Sequence, residues 1–203
     1  MIDVRRAGPA DADELIRLRA VMIAGMTGTE PTPGPWQRAG ADLLRRQLDD
    51  PAGSTVAFVV DVPGPPQLPA RAVHDRESFP LWARAVHDRE PLRLAACVVG
   101  AIDQRLPGPH NPTGRIGYVY NVATDPGHRR RGYSRACLTA LLSWFDGQGV
   151  TTVDLRASAD GEPLYADVGF VRTRDPAMRR TRLPPDRAPL LDPPRRPQPG
   201  PTL

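Results

Sequence analysis

The chain has 203 residues, enough for one domain and a tail, and 40% of them are hydrophobic, which is enough for a single buried core. Its net charge is +4, and every strongly basic residue is arginine because the sequence contains no lysine. No apolar run approaches the ~18 residues of a membrane span. The first residues lack the apolar region of a secretory signal, so we expect a cytoplasmic chain with no membrane partner.

The N-terminal residues have the pattern of a short strand followed by a helix. Ile2 and Val4 alternate with polar residues, which predicts a first strand. Apolar residues at helical spacing then predict a helix that ends near Gly25 and Gly28.

A second helix is predicted over about residues 36–48. We expect Leu43, Leu44 and Leu48 to lie on its inward face. The segment 26–36 between the two helices is rich in proline, glycine and threonine, so it is predicted to be a loop.

Two further strands are predicted over Thr55–Val62 and Leu92–Ile102, where β-prone apolar residues run together. Between them the octapeptide Ala-Arg-Ala-Val-His-Asp-Arg-Glu occurs twice, at 70–77 and at 83–90. Two copies are too few for a repeat architecture. We therefore interpret the segment as a duplication inserted into a permissive loop over about 63–91.

A strand, a loop and a helix are predicted in succession over residues 116–149. The apolar, β-prone run from Ile116 to Val122 predicts the strand, and Asp125-Pro126-Gly127 predicts a turn. The loop that follows, residues 129–135, carries four arginines and Gly132. Helical periodicity begins directly after it.

This loop has the composition of an anion site. The first turn of a helix has N–H groups without helical partners, and the helix dipole adds partial positive charge. Gly132 allows close approach of a ligand to the backbone, and arginines match phosphate geometry. The spacing excludes a G-x-x-x-x-G-K-[ST] loop and a G-x-G-x-x-G fingerprint. We expect a phosphate or pyrophosphate ligand.

The C-terminal part is predicted to close the sheet and then continue as a tail. Residues 151–157 alternate apolar and polar side chains, which predicts a strand parallel to residues 116–124 after a helical crossover. Residues 170–173 and 177–183 predict a closing hairpin. The proline-rich residues 184–203 predict a disordered tail.

Two stretches resemble the signatures of the GNAT N-acetyltransferase superfamily. Residues 129–134, Arg-Arg-Arg-Gly-Tyr-Ser, are similar to its [Q/R]-x-x-G-x-[G/A] loop, which cradles the pyrophosphate of acetyl-CoA. Ser134 departs from the usual glycine or alanine. Residues 164–170, Leu-Tyr-Ala-Asp-Val-Gly-Phe, resemble its L-Y-x-x-x-G-F signature on a short helix, with Gly169 as the C-cap. The resemblance covers about residues 1–183.

The resemblance implies a mixed α/β (α+β) fold. Its centre would be a mixed, mostly antiparallel, twisted sheet of about six or seven strands with a splayed parallel pair, flanked by about four helices. Residues 1–183 would form this domain, with the inserted loop within it. A monomer or a homodimer is expected.

The resemblance also implies acetyl-CoA as co-substrate, with no metal. The main chain around Val122 would pair with the pantetheine arm, because the two parallel strands splay apart. The Val122 N–H would be a candidate oxyanion donor. The cofactor-binding residues implied are Val122, Ala123, Thr124, Arg129, Arg130, Arg131, Gly132, Tyr133 and Ser134.

Tyr165 is the implied proton donor to the departing thiolate, because a phenol, with an ordinary pKa of about 10, is protonated at neutral pH. The base stays open between Glu162, which shares a helix face with Tyr165, and a water relayed by Asn121 or a tyrosine. The residues predicted to line the acceptor pocket are Trp36, Tyr118 and Tyr120.

The function implied is transfer of an acetyl group to the primary amine of a small molecule. Direct transfer in a ternary complex is expected, because neither signature contains a cysteine. Cys97 and Cys137 are expected to be small buried hydrophobes. Alternatives are a protein N-terminus or lysine as acceptor, or a non-catalytic CoA-binding sensor. A nucleic-acid partner is not expected, since the arginine cluster has no interleaved aromatic residues.

Overall fold

The computed structural model describes residues 2–62, 93–174 and 176–180. The duplicated segment, predicted over 63–91, and the tail, predicted over 184–203, lie outside the described residues.

The described part contains four α-helices and one five-stranded sheet, which confirms the predicted mixed α/β class. None of its helices is long and apolar enough to cross a membrane. The helices are α1 Ala12–Thr27, α2 Pro35–Asp49, α3 Tyr133–Gly147 and α4 Glu162–Ala166. The strands are β1 Arg5–Arg6, β2 Thr55–Asp61, β3 Leu94–Gln104, β4 Arg115–Thr124 and β5 Val153–Leu155.

The sheet has the strand order β1-β2-β3-β4-β5, so each strand pairs with its neighbour in sequence. The first four strands are antiparallel. β5 lies parallel to β4, with Tyr118 beside Asp154, which confirms the predicted parallel pair.

The core lies on both faces of β3, whose residues 94–100 are all buried. On one face Val99 belongs to a cluster with Leu15 of α1 and Leu44 of α2. On the other face Gly100 lies under α3, since a Cβ there would come within 3.0 Å of the Phe145 ring. Successive strand residues point to opposite faces, so β3 is covered by helices on both sides.

The edge strand β1 begins at Arg5, later than predicted from the alternation of residues that starts at Ile2. A network of charged side chains holds this strand in place. Arg5 donates hydrogen bonds to Asp61 at 2.8 Å and to Asp11 at 2.7 and 2.8 Å. Burial alone would raise the pKa of Asp11, but hydrogen bonds from Arg5 and from a backbone N–H lower it below its ordinary value.

Two details of the predicted helices are wrong. α1 continues through Gly25 and ends at its C-cap Gly28, which has a φ of 76°. Glycine inside a helix costs only about 1 kcal/mol, so the packed apolar face overrides it. In α2, Leu44 is 8% exposed but Leu43 is 47% exposed, because adjacent helical residues point about 100° apart.

The end of α4 also differs from the prediction. The helix stops at Ala166 with Asp167 as its C-cap, so Gly169, with a φ of 96°, lies beyond the cap.

The chain divides into two units, Met1–Gly169 and Phe170–Leu203. The described residues of the second unit contain neither strand nor helix. The prediction of a closing hairpin is therefore wrong for the described residues up to 180, and the last residues of that prediction lie outside the described part. Val171 and Met178, expected within its strands, are 86% and 90% exposed, so burial of these two side chains does not stabilise strand pairing there.

Candidate functional site

Asp125 caps and anchors the turn after β4. Its carboxylate accepts the Gly127 N–H at 3.1 Å and a guanidinium N–H of Arg17 at 2.7 Å. Arg17 also donates to the Glu14 carboxylate and to the Leu94 carbonyl, both at 2.8 Å. Burial alone would raise the pKa of Asp125, but the bonds from Arg17 and Gly127 lower it. The start of the loop is thus tied to α1 and β3.

The arginine-rich loop, residues 129–134, contains two residues in the left-handed region. Arg130 has a φ of 62° and Gly132, the N-cap of α3, has a φ of 79°. A positive φ outside glycine is uncommon and is often found at functional sites. Among the described residues, chain neighbours apart, a Cβ on Gly132 would meet only the Ile2 side chain, at 3.6 Å. Apart from Ile2 and the loop itself, no described residue covers the backbone there.

The start of α3 presents a group of unsatisfied donors. Its first helical hydrogen bond runs from the Ala136 N–H to the Gly132 carbonyl at 3.0 Å. The N–H groups of residues 132–135 have no acceptor within the described ranges. Arg129, Arg130 and Arg131 are exposed and form no ion pair with any described residue. The helix dipole and the guanidinium groups thus favour one anion at the same place.

Two contacts connect this helix start to other elements. The hydroxyl oxygens of Thr124 and Ser134 are 2.5 Å apart, which joins the end of β4 to the first turn of α3. The Arg135 guanidinium donates to the Asp167 carboxylate at the end of α4. The second signature is thereby joined through side chains to the first turn of α3.

Only a short stretch of β4 pairs with β5, and β4 continues beyond the end of β5. Residues 117–119 pair with residues 153–155, whereas β4 continues to Thr124. Beyond Val119 the β4 edge therefore has no β5 partner. Val122 lies in this free stretch and pairs on the other side with Val98 of β3.

A β-bulge lies where the two strands separate. On β3, Val99 pairs with Asn121. Its neighbour Gly100 pairs with Val119, so Tyr120 is the extra residue on β4. Bulges re-aim side chains and are common beside active sites.

The predicted acceptor residues are aromatic side chains near the bulge and on α2. The rings of Tyr118 and Tyr120 stack with centroids 6.5 Å apart. Tyr120 and Trp36 both pack against the core beneath α1 and α2. Burial raises the pKa of Tyr120, although a hydrogen bond with Thr55 opposes the shift. The Trp36 indole donates to the Thr32 carbonyl at 3.1 Å.

Asn121 is a buried polar side chain with an unused acceptor. It is 3% exposed, and its amide nitrogen donates to the Cys97 sulfur at 3.4 Å. Its Oδ1 has no hydrogen-bond partner among the described residues. An unsatisfied buried polar atom costs about 1–3 kcal/mol, so this oxygen is suited to accept from a water or a substrate N–H.

The second signature forms the short helix α4. Tyr165 is half-buried there, and burial raises the pKa of its phenol. Glu162 is the first residue of the same helix. A carboxylate at that position also interacts favourably with the helix dipole, so its place has a purely structural explanation.

A cavity of about 560 Å³ lies between α1 and α2. Its walls are largely charged, and Arg45 of α2 contacts Asp13 of α1 and Asp42 of its own helix. None of the predicted site residues lines it. Within the described ranges, no group of three or more His, Cys, Asp or Glu side chains is placed to hold a metal ion.

Sequence reasoning missed three residues that support the loop: Arg17, Asp125 and Asp167. The Asp-Pro-Gly turn gave a local signal for Asp125. Arg17 and Asp167 had none, because their partners are 108 and 32 residues away in sequence.

Comparison with known proteins gives a family match and many similar folds. The model of the Acetyltransferase (GNAT) family matches residues 29–170. No curated protein sequence matches the chain.

Three solved structures illustrate the shared fold. A predicted acetyltransferase with acetyl-CoA from Clostridium acetobutylicum has 20% identity and a TM-score of 0.64, over 89% of this chain and 96% of its own. A GCN5-related N-acetyltransferase from Ralstonia eutropha JMP134 has 22% identity and a TM-score of 0.64, over 88% and 98%. The aminoglycoside N-acetyltransferase AAC(6')-Iy in complex with CoA has 13% identity and a TM-score of 0.58, over 90% and 96%.

Proposed function

The chain belongs to the GNAT acetyltransferase family, and from this membership we propose that it transfers an acetyl group from acetyl-CoA to the primary amine of a small molecule. The observation that carries the proposal is the start of α3. There, Gly132 has a positive φ, and the N–H groups of residues 132–135 have no acceptor in the described part of the chain. The three arginines that precede them are exposed. This arrangement suits a pyrophosphate better than a monovalent anion, because it offers several N–H donors and several cations together.

The edge of β4 beyond the end of β5 supports binding of the rest of the cofactor. The β4 edge beyond Val119 has backbone groups with no β5 partner, and buried backbone groups need hydrogen-bond partners. The amide groups of a pantetheine arm would supply them. Val122 and Ala123 lie in this stretch, and the Val122 N–H would donate to the oxyanion of the tetrahedral intermediate.

The reaction itself requires a neutral amine, an attack on the thioester carbon and departure of the thiolate. The C–N bond forms, the C–S bond breaks, and the amine proton passes to a base. Burial raises the pKa of Tyr165, so its hydroxyl is protonated at neutral pH. It donates to the sulfur while the C–S bond breaks.

The base is most simply a water molecule held by Asn121. An amide cannot itself accept a proton at neutral pH, but the unpartnered Oδ1 can orient a water that does. Glu162 remains the alternative, as a carboxylate on the same short helix as Tyr165.

Direct transfer is supported by the state of the two cysteines. Cys97 and Cys137 are both fully buried, and burial raises the pKa of each thiol to about 12. A thiol that is neither exposed nor ionised is a poor nucleophile. An acyl-cysteine intermediate is therefore disfavoured, and both substrates would be bound together.

The aromatic residues near the bulge favour an amine as acceptor. The stacked rings of Tyr118 and Tyr120 present π-faces, which attract ammonium groups by roughly 0.5–2 kcal/mol. Trp36 would complete this lining from α2.

Calorimetry and a thiol-release assay together test the proposal. Acetyl-CoA should bind, and CoA should be released only when an amine is present. The acceptor panel should contain monoamines, polyamines, amino sugars and a peptide with a free N-terminus. Binding without release by any acceptor would indicate a CoA sensor, and absence of binding would refute the proposal altogether. Faster release with the peptide than with the small amines would indicate that the acceptor is a protein N-terminus.

A further inference from the structure

The Thr124–Ser134 contact closes the cofactor loop at its base. Thr124 is the last residue of β4 and Ser134 the second residue of α3, and both are partly buried. Their hydroxyl oxygens are 2.5 Å apart, at the short end of the range for O–H···O hydrogen bonds. Residues 129–133, between these two, donate no hydrogen bond to any described residue.

The two ends of the loop are held by different means. At residue 125 the Arg17 guanidinium ties the turn to α1. At the other end, the hydrogen bond between the Thr124 and Ser134 hydroxyls joins β4 to the start of α3. Between these points Arg130 and Gly132 have left-handed conformations. This conformation is readily adopted by glycine, but at Arg130 it costs free energy and persists only when its surroundings impose it.

From this arrangement we propose that Ser134 and Thr124 are positioning residues that fix the distance between the pyrophosphate end and the pantetheine end of the cofactor site. The inference rests on the proposed function, in which α3 binds one half of CoA and β4 binds the other. A ligand that spans both elements benefits when their separation is set beforehand, because less order has to be imposed on binding.

This role differs from direct contact with the ligand. If Ser134 donated to a phosphate, its loss would weaken any ligand that carries the phosphate, whatever residue stood at 124. If the two hydroxyls act through each other, loss of either one removes the whole effect. The loss then appears mainly for ligands long enough to reach both α3 and β4.

The test is a double-mutant cycle of Ser134→Ala and Thr124→Val, with calorimetric Kd values for CoA. Each single variant should raise the Kd by about three- to tenfold, as expected for loss of one hydrogen bond. The double variant should have a Kd no higher than that of either single variant. Thr124→Ser, which keeps a hydroxyl, should bind nearly as wild type. Ser143→Ala, at an exposed position of α3, is the matched control.

Ligand fragments separate positioning from direct contact. Adenosine 3′-phosphate 5′-diphosphate and S-acetylpantetheine each reach only one element, so their affinities should change less than twofold. In turnover, KM for acetyl-CoA should rise while kcat at saturation is unchanged.

The positioning role would be overturned if the two substitutions lowered CoA affinity additively. It would also be overturned if they lowered affinity for the nucleotide fragment as much as affinity for CoA. Either result would leave the proposed function intact. Wild-type affinity in both single variants would likewise overturn the positioning role and leave the proposed function intact. Failure of the unaltered protein to bind CoA would overturn the proposed function, and this role with it.

Discussion

Replacement of Gly132 by alanine should weaken acetyl-CoA binding more than it destabilises the fold. Gly132 has a φ of 79°, and a left-handed conformation costs an L-residue about 1–2 kcal/mol. At about 2–4 °C per kcal/mol for a domain of this size, Tm should fall by about 2–8 °C. Among the described residues, chain neighbours apart, the added Cβ meets only Ile2, at 3.6 Å. It would therefore lie where a bound phosphate approaches the backbone.

The expected loss of affinity follows from the N–H donors around that Cβ. A hydrogen bond to a charged group contributes about 1.5–3 kcal/mol, so displacement of the pyrophosphate from one such donor should raise Kd about ten- to a hundredfold. Titration calorimetry with acetyl-CoA measures this directly. Circular dichroism would show whether the fold survives.

Two further variants separate backbone strain from blocked access. Gly149→Ala imposes the same kind of strain, because Gly149 has a φ of 69°. It lies just past the far end of the 15-residue α3, and no described residue other than its chain neighbours has an atom within 4 Å of its Cβ. It should lower Tm similarly and leave Kd unchanged. Gly132→Asn should recover much of the Tm, because asparagine tolerates the left-handed region, yet still bind weakly. If Gly132→Ala binds like Gly149→Ala, then Gly132 serves only as a helix cap.

Three other predictions concern catalysis, pH and the duplicated segment. Tyr165→Phe should lower kcat at least about tenfold in the thiol-release assay with unchanged acetyl-CoA Kd; wild-type turnover, with chemistry rate-limiting, would make Tyr165 a packing residue. The thiols of Cys97 and Cys137 have pKa values raised from 9.0 to about 12 in the folded state. Their contribution to stability is therefore complete below pH 9 and is lost as pH rises towards 12. Urea titrations across this range should show it, and Cys137→Ala should flatten the profile; an equally steep profile in that variant would contradict the assignment. Deletion of residues 70–82, one copy of the repeat with its spacer, should leave Tm and turnover nearly unchanged, and loss of folding would show that the segment packs on the core.

The sequence predicted those parts of the fold that depend on local periodicity. α2 and β2 were located within a residue or two, because their apolar spacing is regular and glycine or proline lies at their borders. β1 was misplaced because Arg5 and Arg6 carry no apolar alternation. Their position depends on pairing with β2 and on the Arg5 ion pairs, the longer of which spans 56 residues of sequence. Such non-local contacts override local propensity.

The candidate site was predictable only where function requires a short motif. Residues 129–134 have that motif, because a close anion contact needs glycine and unpaired N–H groups in one place. The supports around the loop, such as the Arg17–Asp125 bond across 108 residues, depend on the folded arrangement of α1 and β4. The positioning role proposed for Ser134 could not be predicted from the sequence for the same reason, since its partner Thr124 belongs to another element.

The burial of both cysteines has a practical consequence for measuring the reaction. Cys97 and Cys137 have no solvent-exposed surface, so chromogenic disulfide reagents in solution cannot reach their sulfur atoms while the protein is folded. Such a reagent can therefore be present from the start of an assay, where its colour would report only the thiol of released CoA. Amine-reactive dyes, which measure the acceptor amine that is not yet acetylated, have a similar advantage. The chain contains no lysine side chain that would also react with the dye. Progress of an acetylation could then be followed continuously, in one cuvette, without removing the enzyme.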